Sequence, residues 1–140
     1  MITDKFDEVF RVLNGFLTDE SKYSPLVTKQ APLRPTTFPV VEVKGQEIER
    51  ETTTRDEEIF NTLDVTINIY SIEKTIDRKK VSSLQISNEL IRLIDMAMKE
   101  MKFTMETNEE IENVDKNVYR RLLRYTAGID VRTGKLVRRK

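Results

Sequence analysis

The sequence predicts an α+β fold, an antiparallel or mixed sheet of four to five strands packed on one face by two helices, in the order α–β–β–α–β–β. Three stretches predict it. Residues 59–72, IFNTLDVTINIYSI, place Leu63, Val65, Ile67 and Ile69 on one side and Thr62, Asp64, Thr66, Asn68 and Tyr70 on the other. Strand side chains alternate with period 2, so this is a long strand with one buried face. Residues 81–101 set Ile86, Leu90, Leu93, Ile94, Ala97 and Met101 at helical spacing, with Leu84, Ile91 and Met98 widening the stripe. Residues 117–131 return to period 2 through Tyr119, Leu123, Tyr125, Ala127, Ile129 and Val131. A helix over 118–125 competes with that last reading, and Thr126-Ala127-Gly128 favours the strand.

The remaining elements follow in order. Residues 4–17 form a first helix, its apolar stripe made by Phe6, Val9, Phe10, Leu13, Phe16 and Leu17. Thr3 or Asp4 suits its cap, and Asp7 and Glu8 suit the positive end of its dipole. Residues 18–37 contain Pro25, Pro32 and Pro35 and read as a connector without regular structure, long enough to suggest a functional or partner-ordered segment. Residues 38–44, FPVVEVK, read as a strand entered through Pro39, and 45–58 as a polar arm. Asp77 to Lys80 form a charged turn, 102–106 a short strand and 108–115 an acidic loop. The strand region extends over 102–137, with Gly134 at the left-handed position of a turn and Leu136-Val137 pairing back. The 140 residues are expected to form one domain.

Composition narrows the chemistry. There is no His, Cys or Trp, which removes the commonest general base, thiolate metal sites and a cysteine nucleophile. Glu42-Val43-Lys44 resembles the end of the carboxylate–x–Lys pattern of metal-dependent nucleases, but its upstream Asp is missing. The acidic runs Asp56-Glu57-Glu58 and Glu109-Glu110-x-Glu112 lack the alternating oxygen ligands and turn Gly of a calcium loop. The lone Gly45 and Gly134 form no phosphate cradle. The expectation is a non-enzyme with no cofactor and no metal, made in a reducing cytoplasm, with no membrane association.

Charge is the more informative signal. The total is balanced at 24 basic and 24 acidic residues, but it is unevenly distributed. Residues 116–140 are strongly basic, whereas 106–115 and 42–58 are acidic. Separated charges of this kind suit either a solvated mixed surface or self-association in which one copy's acidic patch meets another's basic one. The candidate interface residues are therefore Arg120, Arg121 and Arg124 on one side, and Glu47, Glu49, Glu51, Arg55, Asp56, Glu57 and Glu58 of the arm on the other.

The sequence of elements resembles the small tail terminator and tail completion proteins of long-tailed bacteriophages and prophages. The resembling parts are the N-terminal amphipathic helix, FPVVEVK, the arm GQEIERETTTRDEE, LDVTINIYSIE, SSLQISNELIRLIDMAMKEM, KFTME and VYRRLLRYTAGID. The likeness covers nearly the whole chain, in order and texture rather than in one motif, and the connector 18–37 departs from the pattern. It implies a structural virion protein at the head–tail interface, forming a homohexameric ring that ends the tail tube and meets the head connector or a head-completion protein. Its partners would be further copies of itself, the tail tube protein and the connector, with DNA passing through the lumen without sequence-specific binding. An acidic or mixed lumen fits, because a basic one would hold phosphates. Two other classes stand beside it: another head–tail or tail-tube component, and a nucleic-acid-binding adaptor using the basic C-terminal segment.

Overall fold

The computed structural model describes residues 2–48 and 60–138. Its elements are α1 (Ile2–Glu20), β1 (Leu26–Thr28), β2 (Val40–Ile48), β3 (Phe60–Ser71), β4 (Lys74–Ile76), β5 (Lys79–Val81), α2 (Ser83–Glu100), β6 (Thr104–Ile111), β7 (Tyr119–Asp130) and β8 (Leu136–Val137). The main sheet has six strands in the order β1-β2-β3-β7-β6, with β8 on β7 beside that path, and β4-β5 is a separate hairpin. Every pairing in the main sheet is antiparallel except β1 with β2, so the sheet is mixed.

The long apolar–polar strand takes the central place its pattern calls for. Leu63, Val65, Ile67 and Ile69 are fully buried on the helix side of β3. They share one core with Val9, Leu13 and Leu17 of α1, Leu90, Ile94 and Met98 of α2, and Leu123, Tyr125 and Ala127 of β7. Burial of each large aliphatic side chain favours the fold by about 1.5–3 kcal/mol. Tyr125 adds a polar tie across the layers. Its hydroxyl donates to Asp95 Oδ1 of α2 at 3.1 Å, and Lys99 pairs with the same carboxylate at 2.8 Å. Burial, followed by the Asp95 charge, raises the Tyr125 pKa, so the phenol stays protonated and keeps donating.

Several boundaries differ from the sequence expectation. The connector 18–37 is not structureless: α1 runs on through Glu20, and Leu26–Thr28 forms a parallel edge strand on β2. Three residues between prolines are too few to display a period, which hides β1 in the sequence. Strand β2 continues past Lys44 to Ile48, taking in the first part of the expected arm. Its polar residues stand on an exposed stretch that is still paired with β3. Gly45 lies in this extension, where a Cβ would come within 2.1 Å of the Phe6 ring, so glycine allows α1 to approach the strand. The rest of the arm lies outside the described residues, as does Ile59 at the expected start of β3.

Val81 belongs to β5 rather than to the second helix, and Asp77-Arg78 form a two-residue turn with both residues at positive φ (50° and 67°). Helix α2 begins at Ser83 because the Ser82 hydroxyl caps it, accepting from the Gln85 amide at 3.1 Å. The acidic loop expected at 108–115 is partly strand: β6 runs to Ile111, with a bulge between Met105 and Thr107. Its consecutive carboxylates are tolerated because most of this edge strand is solvent-exposed. The expected return of Leu136-Val137 is present, with Gly134 at φ 71° in the turn before it.

The C-terminus of α2 is closed by a paired cap. The Phe103 amide donates to Met98 O at 3.0 Å and the Lys102 amide to Lys99 O at 3.0 Å, with Lys102 at φ 77°. An L-residue in this conformation costs about 1–2 kcal/mol, which glycine avoids. Lys102→Gly is therefore expected to raise unfolding stability by about 1 kcal/mol, read as a higher urea midpoint at unchanged slope. In the second turn of α2, Ser87 is fully buried and its hydroxyl finds no partner among the described residues. Ser87→Ala removes an unsatisfied polar group and should stabilise the fold by about 1 kcal/mol, checked in the same titration.

Candidate assembly interface

The helices cover one face of the sheet. On the other face the alternation presents Glu42 and Lys44 of β2, Thr66, Asn68 and Tyr70 of β3, and Arg120, Leu122 and Arg124 of β7. The register sets Glu42 beside Asn68 and Tyr70 beside Arg120, which puts four hydrogen-bonding side chains in adjacent rows. Arg120 donates to Asn68 Oδ1 from Nε at 3.1 Å and from Nη2 at 3.0 Å. The Asn68 amide in turn donates to Glu42 Oε1 at 3.4 Å. The other Glu42 oxygen accepts the Ala31 backbone N–H at 2.8 Å, and Lys44 Nζ lies 3.9 Å from it.

Glu42 is 8% exposed and Asn68 6%, so these are buried polar groups on the nominally open face. They are buried because the chain after β1 folds over them. The Ala31 hydrogen bond ties this strap down at its start, and Lys74 Nζ, donating to Phe38 O at 2.8 Å, holds its end. Lys29, just before the strap, pairs with Asp7 and sits over the rings of Phe6 and Phe10, anchoring it to α1. The Arg120 guanidinium also lies 5.3 Å from the centre of the Tyr70 ring. Burial raises the Tyr70 pKa, and the nearby Arg120 charge offsets part of that rise.

Between the strap and the β6–β7 loop lies a cleft of about 800 Å³. Its polar floor includes Glu42, Lys44 and Tyr70, and its apolar walls include Pro35, Phe38, Ile72 and Val118. Two aliphatic side chains at its rim, Leu33 from the strap and Val114 from the loop, are fully exposed. Exposed aliphatic groups gathered around one concavity favour contact with another surface over contact with water.

The expected interface residues separate in space. Arg120 is held inside the Glu42–Asn68 network and is not a free rim charge. Arg121 has the opposite parity and lies on the helix side of the sheet, donating to Asn108 Oδ1 from Nε at 3.1 Å and to the Tyr119 hydroxyl at 3.2 Å. Arg124 is exposed on the open face. The three arginines therefore form no single patch, because neighbours along a strand point to opposite sides. Glu47 accepts from Asn61 Nδ2 at 3.2 Å across β2 and β3. Glu49, Glu51, Arg55, Asp56, Glu57 and Glu58 lie outside the described residues. In the 106–115 segment, Glu106 accepts from the Thr126 hydroxyl at 2.8 Å, while Glu109, Glu110 and Glu112 are exposed.

In the sequence Glu42 belongs to a carboxylate–x–Lys fragment and to the acidic 42–58 segment, and Asn68 to the polar face of the long strand, with nothing in chain order to join the two. The available signal was polarity in a strand interior: an Asn and a Glu on neighbouring strands, both flanked by β-branched residues. Among the described residues, no group of three or more acidic side chains is arranged to hold a metal ion. No helix among them is long and apolar enough to cross a membrane. No known family model matches the chain, and no curated protein matches it.

Proposed function

We propose that this protein is a structural component of a tailed bacteriophage or prophage virion, assembling as a ring that ends the tail tube and joins the tail to the head. The observation that carries this reading is the two-faced sheet. Helices α1 and α2 seal one face, while the other keeps a cleft with exposed aliphatic lips, a surface suited to a protein neighbour. The element order α1–β2–β3–α2–β6–β7 also supports it, since it follows the layout of the tail terminator and completion proteins that the sequence resembles. Strands β1, β4, β5 and β8 are additions to that layout.

The nucleic-acid alternative is weaker on the same geometry. Arg120 and Arg121 are occupied by internal hydrogen bonds and lie on opposite faces, so they do not make a continuous phosphate-binding track. In the proposed ring, acidic residues near the lumen would let DNA pass without holding its phosphates.

The test is position on the particle. Tagged protein incorporated into virions and labelled with gold should appear by electron microscopy at the head–tail junction. Label along the tail, on the capsid or on no particle would contradict the assignment.

A further inference from the structure

The two edges of the main sheet carry opposite charge. Among the described residues, one edge is β1, paired only with β2, and the other is β6, paired only with β7; β8 takes the remaining length of the β7 side. The segment containing β1 and the strap, residues 21–38, has three basic residues, Lys22, Lys29 and Arg34, and no acidic one, with Lys29 already paired to Asp7 of α1. The segment containing β6 and its following loop, residues 103–115, has five acidic residues, Glu106, Glu109, Glu110, Glu112 and Asp115, and no basic one. Sheet order, rather than sequence proximity, sets β1 and β6 at opposite edges of the sheet, while the strap and the loop that follow them, with Arg34 and Asp115, meet across the cleft.

An edge strand with one unpaired row of backbone groups is a template for another strand. The eight residues of β6 offer such a row, and Leu26 of β1 is a large apolar side chain left substantially exposed on the other edge. Pairing β6 with β6 across a two-fold axis would bring two sets of carboxylates together. Like charges facing across a strand pair are destabilising, so this symmetric contact is disfavoured. Pairing β6 of one copy with β1 of the next sets acidic against basic and uses different surfaces on the two molecules. Such a contact is head-to-tail, the kind that closes into a ring when its rotation permits.

We infer that the acidic β6 edge of one copy docks on the basic β1 edge of the next, joining their sheets into one intersubunit sheet. This deepens the ring reading above by naming its contact, and it rests on that reading only for the context in which the contact forms.

The chain has no cysteine, so introduced thiols report the contact cleanly. Leu26→Cys marks the β1 edge, and Thr104→Cys and Glu110→Cys, made separately, mark two points along β6. Each protein is held alone, then mixed in the two β1–β6 combinations, at high concentration and low salt with a short bismaleimide crosslinker. Dimers are expected in at least one mixture and not with any single variant alone, and their yield should fall at least severalfold between low salt and 0.5 M salt. A Leu26→Cys, Glu110→Cys double variant should give a ladder of higher oligomers. Reversing charge with Glu109→Lys, Glu110→Lys and Glu112→Lys in the Thr104→Cys partner should abolish mixed product made through that site. Circular dichroism confirms that the variant is folded. Self-crosslinking of a single variant as efficient as in the mixtures, or no mixed product at either β6 position from folded protein, would overturn the inference. Crosslinking succeeds or fails independently of gold label at the head–tail junction, so failure of the contact is distinguishable from failure of the virion reading.

Discussion

Truncating Ile67 to alanine should cost about 2–5 kcal/mol of unfolding free energy, the largest loss expected of any single substitution considered. Ile67 is fully buried at the middle of β3, paired with Val43 on one side and Leu123 on the other, under the helix layer. The loss combines the transfer free energy of the removed carbons with the cavity left behind. Little relaxation is available, because paired strands fix the backbone on both sides. A urea titration followed by circular dichroism should show a much lower midpoint with a similar slope. A change below about 0.5 kcal/mol would mean that this side chain faces solvent, the result of a one-residue slip in register.

Replacing Asn68 with leucine should cost about 1–3 kcal/mol and loosen the strap over the open face. Asn68 is the only bridge described between Arg120 and Glu42, accepting from the first and donating to the second. Leucine keeps the branched shape, though it is larger, and leaves a buried carboxylate oxygen without that donor. Arg120 is only half-buried and can turn towards water, so most of the penalty falls on Glu42. Glu42 also holds the Ala31 N–H, which makes its position matter to the strap. Limited trypsin digestion reads this directly, since the Lys29–Gln30 bond offers a cleavage site at the start of the strap, whereas the Arg34–Pro35 bond resists trypsin. Faster cleavage there than in the wild-type protein, with the helices still protected, is the expected pattern. Unchanged stability together with unchanged cleavage would show that the network does not hold the strap.

The parts of the fold legible in the sequence are those where one face is buried along a long element. The strands β3 and β7 and both helices have enough residues for their periods to emerge. They also bury apolar groups against each other, so the pattern and the packing agree. Among the short elements, Leu136-Val137 is legible through the Gly134 turn before it, whereas β1, β4 and β5 are not. Strand β1 has three residues, and β4 and β5 have three each, fewer than two full periods of alternation. The ends of β2 and β6 carry charged side chains on exposed strand, where backbone pairing rather than burial sets the conformation. Polarity alone reads such stretches as an arm and a loop.

The candidate interface was legible in charge but not in geometry. Arg120, Arg121 and Arg124 look like one cluster along the chain, yet strand alternation sends Arg121 to the other face and the Asn68 network takes Arg120. The opposed edges are less visible still, since they depend on β1 and β6 lying at opposite ends of the sheet order. Only the topology turns an acidic and a basic stretch of sequence into two surfaces that can meet between copies.

The most direct measurement of the functional claim is the particle population made when the gene is deleted from its genome. Electron microscopy of an induced lysate should then show DNA-filled heads and separate tails, many of them longer than normal, with infectivity restored by supplying the wild-type protein. Joined, infectious particles with tails of normal length in the absence of the protein would contradict the claim.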